Sequence, residues 1–157
     1  MDQALLDEFA IRRLAAAYTD AANRRDPVQA AATYAPDGVL QPYDGPPLVG
    51  RAEIERVFCE RWPKSGLIFQ CLHSGLIEVA GHRGWARWWL SEWNKPADAD
   101  RGRRNLFTSQ DELIRLPEGW RFARRNLQTV YREQVDYPAR LPPPIDFDHQ
   151  FEPWPPA

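Results

Sequence analysis

The sequence predicts an α+β domain in which three N-terminal helices pack on one face of a mostly antiparallel sheet. Three observations carry that prediction. Residues 2–61 hold three helical patterns separated by breakers, and residues 67–131 read as long strands joined by hairpin turns. The length, 157 residues, is that of one domain with a proper core.

The first helix covers 2–24. Ile11, Leu14 and Tyr18 recur at i, i+3 and i+7, giving one apolar stripe. Ala15, Ala16, Ala17 and Ala21 favour the helix and admit a close neighbour. The stripe ends in Tyr18 and Asn23, which either line a ligand cavity or simply finish the helix. Asp26-Pro27 reads as the N-cap and first position of a second helix, 27–35, with Gln29 completing a capping box. Ala35-Pro36-Asp37-Gly38 closes it as a turn, and Val39 to Gln41 make a brief strand. Tyr43 to Pro47 is a loop rich in breakers. Gly50 opens a third helix over 51–61, with Ile54, Val57 and Phe58 on one face, and Pro63 ends it.

Strands follow. Leu67–Val79 is mostly apolar and turns at Gly81-His82-Arg83-Gly84, and Trp85–Trp93 is strongly aromatic. Alternation puts Trp85, Trp89 and Trp93 on one face and Trp88 with Glu92 on the other. One set lines a cavity and the other packs against helices or a partner subunit. A polar loop, Asn94–Arg103, leads to the strand Asn105–Leu116, then a hairpin turn at Pro117-Glu118-Gly119 and a last strand, Trp120–Tyr131. The barrel domain is therefore expected over 1–134. Residues 135–157 hold seven of the fifteen prolines yet carry Tyr137, Leu141, Ile145, Phe147, Phe151 and Trp154. That mixture predicts an ordered proline-rich strap over the barrel or a neighbouring subunit.

Composition narrows the partners. A hydrophobic fraction of 43% with 27% charged residues is ordinary for a globular chain. Seven Trp, seven Phe and five Tyr exceed what a small core needs and point to an aromatic-lined pocket or a subunit interface. A formal charge of -2 argues against nucleic acid, and the densest basic run, Arg101–Arg104, falls in the polar loop beside Asp98 and Asp100 and reads as solvated. The sequence carries neither a signal peptide pattern nor an apolar run near membrane-spanning length. Cys59 and Cys71 read as free thiols of a reducing, cytoplasmic compartment. No metal motif occurs, His73, His82 and His149 being widely spaced, and no metal or cofactor is expected.

Residues 5–133 resemble the SnoaL-like branch of the nuclear-transport-factor-2-like superfamily. The resemblance rests on IxxLxxxY at Ile11–Tyr18, the run Asn23–Val39, GRAEI at Gly50–Ile54, the strand with His73, and DELIRLPEGWRFARRN at Asp111–Asn126. It implies a cone-shaped α+β barrel around one deep pocket. Catalytic relatives include scytalone dehydratase, bile acid 7α-dehydratase, hexachlorocyclohexane dehydrochlorinase and ketosteroid isomerases. By resemblance the pocket tyrosine falls on Tyr18, the histidine base on His73, an arginine of the dehydrochlorinase on Arg125, a functional carboxylate on Glu92 and an oxyanion-hole aspartate on Asp111. The aspartate that partners the histidine falls on Asn23, and the isomerase base falls near Pro42. Asp111 and Arg125 are equally suited to a cross-strand salt bridge.

The resemblance thus implies a cofactor-independent lyase, dehydratase or isomerase acting on a hydrophobic cyclic small molecule. His73 abstracts a proton, Tyr18 donates, Asn23 orients, and Arg125 and Glu92 support. Tyr43, Phe69, Trp88, Phe107, Ser109 and Asp111 are the expected substrate contacts. Asn23 brings no charge to His73, so Glu92, Asp44 or Asp111 must supply it. The alternative is a binding or assembly domain of the same fold that has lost the Asp-His dyad. A homo-oligomer, dimer or trimer, is expected from the apolar outer face of such a sheet.

Overall fold

A computed structural model describes residues 2–137. Helix α1 (Gln3–Arg24) starts at Asp2, whose side chain accepts from the Ala4 N–H, and ends at Arg25 in the left-handed conformation (φ 56°). Helix α2 (Pro27–Ala32) is capped by Asp26, which accepts from the Gln29 N–H at 2.9 Å, as the Asp-Pro pair predicts. Strands β1 (Tyr34–Gln41) and β2 (Leu48–Val49), helix α3 (Arg51–Arg61) and a 3-10 turn (Trp62–Lys64) precede four long strands. These are β3 (Ser65–Ala80), β4 (Arg83–Pro96), β5 (Arg101–Leu116) and β6 (Gly119–Asp136).

The six strands form one open sheet in the order β2-β1-β6-β5-β4-β3. Only β1 and β6 run parallel; the other pairs are antiparallel. The helices cover the concave face. Ile11, Ala15, Tyr18 and Ala22 of α1 are buried, one side of the helix over three turns. They meet Tyr34, Ile54, Phe58, Trp88, Leu113 and Phe122 in one core. A polar latch fixes the start of α1 to the β5–β6 hairpin. Asp7 accepts from the Trp120 indole N–H at 3.1 Å and pairs with Arg115, which lies over the Trp120 ring.

Several boundaries differ from the sequence reading. Ala35–Gly38 is not a turn that closes α2 but the first half of β1. Its register against β6 shifts between Tyr34 and Val39, so four turn-forming residues are absorbed as an irregular strand. A Cβ on Gly38 would lie 2.8 Å from the Phe122 carbonyl oxygen, so only glycine lets the two strands meet there. The polar stretch 94–103 is mostly strand. Arg101 and Arg104, expected in a loop, pair on β5 with Asp136 (2.7 Å) and Glu133 (3.2 Å) of β6. Strand β6 itself runs to Asp136, past residue 134. The proline-rich strap from residue 138 onward lies outside the described residues.

The irregularity that matters most for the site is in β3. Leu72 pairs with Leu90 but Gly75 pairs with Trp88, so β3 carries one extra residue between them. Ile68, Gln70 and Leu72 face inward before this bulge, and Gly75, Ile77 and Val79 after it. The Trp88 ring fills the space a side chain at 75 would need, 2.1 Å from an ideal Cβ.

Candidate active site

One concave cavity of about 400 Å³ opens between the ends of α1, α3, the 3-10 turn and strands β3 and β4. That is within the range of small-molecule sites. Its walls are apolar: Leu40, Leu48, Val57, Phe58, Trp62, Ile68 and Leu127. Helix α1 delivers Tyr18, the segment after β1 delivers Tyr43, β3 delivers Gln70, and β4 delivers Glu92 and Asn94.

Glu92 is the centre of the polar wall. It is buried, as alternation along Trp85–Trp93 predicts for the face it shares with Trp88. Three side-chain amides donate to it: Gln70 to Oε2 at 2.7 Å, and Asn94 (2.5 Å) and Asn105 (3.2 Å) to Oε1. Oε1 is thereby saturated, whereas Oε2 takes one donor and keeps a lone pair. Burial, then the charges of Glu92 and Asp44, push the Tyr43 hydroxyl up to about 12. Burial also raises Tyr18, against the lowering effect of Arg125. Both phenols are therefore protonated at neutral pH and available as donors.

Behind Tyr18 lies a second charged group, closed off from the cavity. The Arg125 guanidinium lies 4.5 Å from the Tyr18 ring and 4.1 Å from the Phe122 ring. It binds Asp111 through Nε and NH2 at 3.0–3.3 Å, and its Nε also reaches Ser109 Oγ. Ser109 in turn donates to Asp111. Burial works to lower the Arg125 guanidinium, but Asp111 opposes it and the net direction is upward. Arg125 is 1% exposed and Asp111 3%, so this is a core ion pair rather than an anion subsite. Phe107 and Trp88 are core residues too, Phe107 backing Tyr43 at 6.2 Å between rings.

His73 is not at the cavity. It is exposed on the convex face, where Nε2 lies 2.9 Å from Ser91 Oγ. Phe69 is likewise on the outside, packed on Trp93 at 5.7 Å. The residue that stands beside Asn23 on the inner face is Gln70. Asn23 grips its backbone at both ends, donating to the Gln70 carbonyl at 2.9 Å and accepting from its N–H at 2.6 Å. Asn23 therefore fixes β3 against α1 and orients no imidazole. Of the residues expected in the site, Tyr18, Tyr43 and Glu92 line the cavity. Asn23 braces its wall, Trp88, Phe107, Ser109, Asp111 and Arg125 lie behind it, and His73 and Phe69 are on the opposite face.

Gln70, Asn94 and Asn105 escaped the sequence reading. Gln70 had a signal, the one polar residue within LIFQCL. Among the described residues no group of three His, Cys, Asp or Glu side chains comes together to hold a metal ion. No helix among them is long and apolar enough to cross a membrane.

Three helices packed on a curved six-stranded sheet form an α+β fold that this chain shares with solved structures, among them a candidate dehydratase of the NTF2-like family from Streptomyces avermitilis. The profile of the SnoaL-like domain matches residues 3–126, and the chain belongs to that family. Solved structures agree on the fold. A type 2 hexachlorocyclohexane dehydrochlorinase is 14% identical, with 90% of this chain and 97% of that one covered and a TM-score of 0.79. A candidate scytalone dehydratase from Novosphingobium aromaticivorans is 18% identical (90% and 94% covered, TM-score 0.75). A ketosteroid isomerase-like protein from Erwinia carotovora is 22% identical (78% and 95% covered, TM-score 0.67). No curated protein matches the sequence.

Proposed function

We propose that the chain is a cofactor-independent lyase or isomerase that acts on a hydrophobic small molecule by proton abstraction, with Glu92 as the base. The observation that carries this reading is the Glu92 carboxylate, buried in an apolar cavity beside two protonated phenols. Glu92 Oε2 takes a proton from a carbon next to a carbonyl or a leaving group. Tyr18 or Tyr43 donates a hydrogen bond to the oxygen on which negative charge develops. Return of the proton to a neighbouring carbon completes an isomerisation, and expulsion of a β-substituent completes an elimination. Gln70, Asn94 and Asn105 hold the carboxylate in one orientation throughout. The resemblance implies histidine as the base; the exposed position of His73 beside Ser91, away from the cavity, favours Glu92 in that role.

A second reading has one observation in its favour. By resemblance Asn23 falls where the dehydratases carry the aspartate of an Asp-His pair, yet it holds the Gln70 backbone, which suits a binding domain without turnover. Glu92→Gln separates the two, since it keeps the shape and the Gln70 contact while removing the basic oxygen. Loss of turnover with ligand binding retained supports the enzyme. Binding by the wild type with no chemical change in any ligand supports the binding domain.

We also propose that the convex face joins copies of this chain in a dimer or trimer. Phe69, Trp85, Trp89, Trp93, Leu106 and Tyr131 are each 42–52% exposed there, a run of large apolar side chains of the kind that marks an interface. Light scattering on the wild type and on Trp89→Ser tests this, the variant dissociating.

A further inference from the structure

The mouth of the cavity is basic, although the chain as a whole is acidic. Arg61 ends α3, Lys64 ends the 3-10 turn, and Lys95 sits near the end of β4. All three line the opening. The chain contains only two lysines, and both are here. They lie on adjoining segments, because the Ala97 N–H donates to the Lys64 carbonyl at 3.0 Å and Lys95 is paired with Leu67 across β3.

Among the described residues no carboxylate lies within 4.0 Å of Arg61, Lys64 or Lys95, whereas Arg12, Arg24, Arg56, Arg101 and Arg104 each have such a partner. Two carboxylates line the cavity. Glu92 is occupied by three amides in the interior, and Asp44 lies 3.9–4.0 Å from Arg103 and Arg132. Lysine suits such a rim, being a compact charge on a flexible stem that can follow an anion of no fixed geometry.

We propose that the cavity takes an amphipathic organic anion, with its apolar body against Phe58, Trp62 and Leu127 and its anionic group held outside by Lys64, Lys95 and Arg61. This rests on the reading of the cavity as a small-molecule site, and it is independent of which residue is the base. It makes the substrate class an acid, such as a carboxylate or a sulfate or phosphate ester of a hydrophobic ring. It also sets polarity, because the charged end stays at the rim while the ring reaches Glu92.

The test compares two fluorescent probes with the same aromatic body. These are 8-anilinonaphthalene-1-sulfonate, an anion, and N-phenyl-1-naphthylamine, which is neutral. At low salt the wild type binds the sulfonate roughly tenfold more tightly, and added salt erodes the difference. Lys64→Gln with Lys95→Gln removes most of the preference and leaves neutral-probe affinity unchanged, whereas Lys64→Arg with Lys95→Arg keeps it. Leu127→Trp, which fills the cavity, abolishes binding of both. Equal affinities in the wild type, or a preference that survives the double Gln variant, overturn the inference. Sulfonate binding that survives Leu127→Trp places the probe on the convex face and overturns it as well. If neither probe binds the wild type, the small-molecule reading of the cavity fails instead.

Discussion

The two faces of the sheet carry similar residue types and put them to different uses. On β4 the concave face holds Trp88 and Glu92, both buried, whereas the convex face holds Trp85, Trp89 and Trp93, each more than two-fifths exposed. Ion pairs divide the same way. Arg125–Asp111 is sealed in the core, and Arg104–Glu133 lies on the convex face beside Trp93. The same pair of charges is a structural commitment on one face and nearly inert on the other, because the dielectric around it decides its worth. A side chain's face thus tells more about its role than its identity does.

Substitution at the buried pair gives the sharpest contrast. Asp111→Ala strands the Arg125 guanidinium in the core and is expected to cost about 3–5 kcal/mol in urea unfolding. Glu133→Ala leaves the exposed Arg104 in water and should leave the unfolding midpoint unchanged within error. Equal effects from the two variants would break the comparison. The tryptophans offer a second contrast. Trp88→Ala opens a core cavity next to Gly75, with an expected loss of about 3–5 kcal/mol. Trp89→Ser should leave the stability of an isolated subunit nearly intact while weakening assembly, as sedimentation or light scattering would report.

Alkaline titration gives a smaller effect. Tyr43 is raised to about 12, and Tyr18 and Tyr34 are raised by burial as well. The folded state therefore holds these protons more tightly than the unfolded state does. Stability is fully present below the ordinary phenol value near 10 and falls as pH climbs through the raised values. Phenolate absorbance should show three of the tyrosines ionising only as the protein unfolds. Ionisation of all of them near pH 10 without unfolding would contradict the buried placement.

The comparison of faces also explains what the sequence revealed. The three helices, the Asp26-Pro27 cap and the meander of long antiparallel strands were legible, because periodicity and turn chemistry act locally, whereas the parallel pairing of β1 with β6 was not. So was the division of Trp85–Trp93, since β4 keeps strict alternation over that stretch. Strand β3 hides its facing. Counting back by twos from the inward-facing, half-buried Ile77 brings His73 and Phe69 inward, but one extra residue between Leu72 and Gly75 turns everything before it over. A bulge leaves no mark in periodicity when the segment is apolar on both sides. Asn23 was misleading for a related reason. Its partner is the Gln70 backbone, which offers no side chain for a sequence pattern to register. The tight pairing of Asp111 with Arg125 was legible as a cross-strand spacing, whereas its seclusion behind Tyr18 depends on how α1 packs.

The central claim is that proton transfer belongs to the concave face, at Glu92, and not to His73 on the convex face. Turnover by Glu92→Gln and His73→Ala, on one substrate that the wild type converts, tests it most directly. The account predicts a fall of roughly 10²–10⁴-fold for Glu92→Gln and activity within about twofold of wild type for His73→Ala. Loss of turnover in His73→Ala, with Glu92→Gln still active, would contradict it.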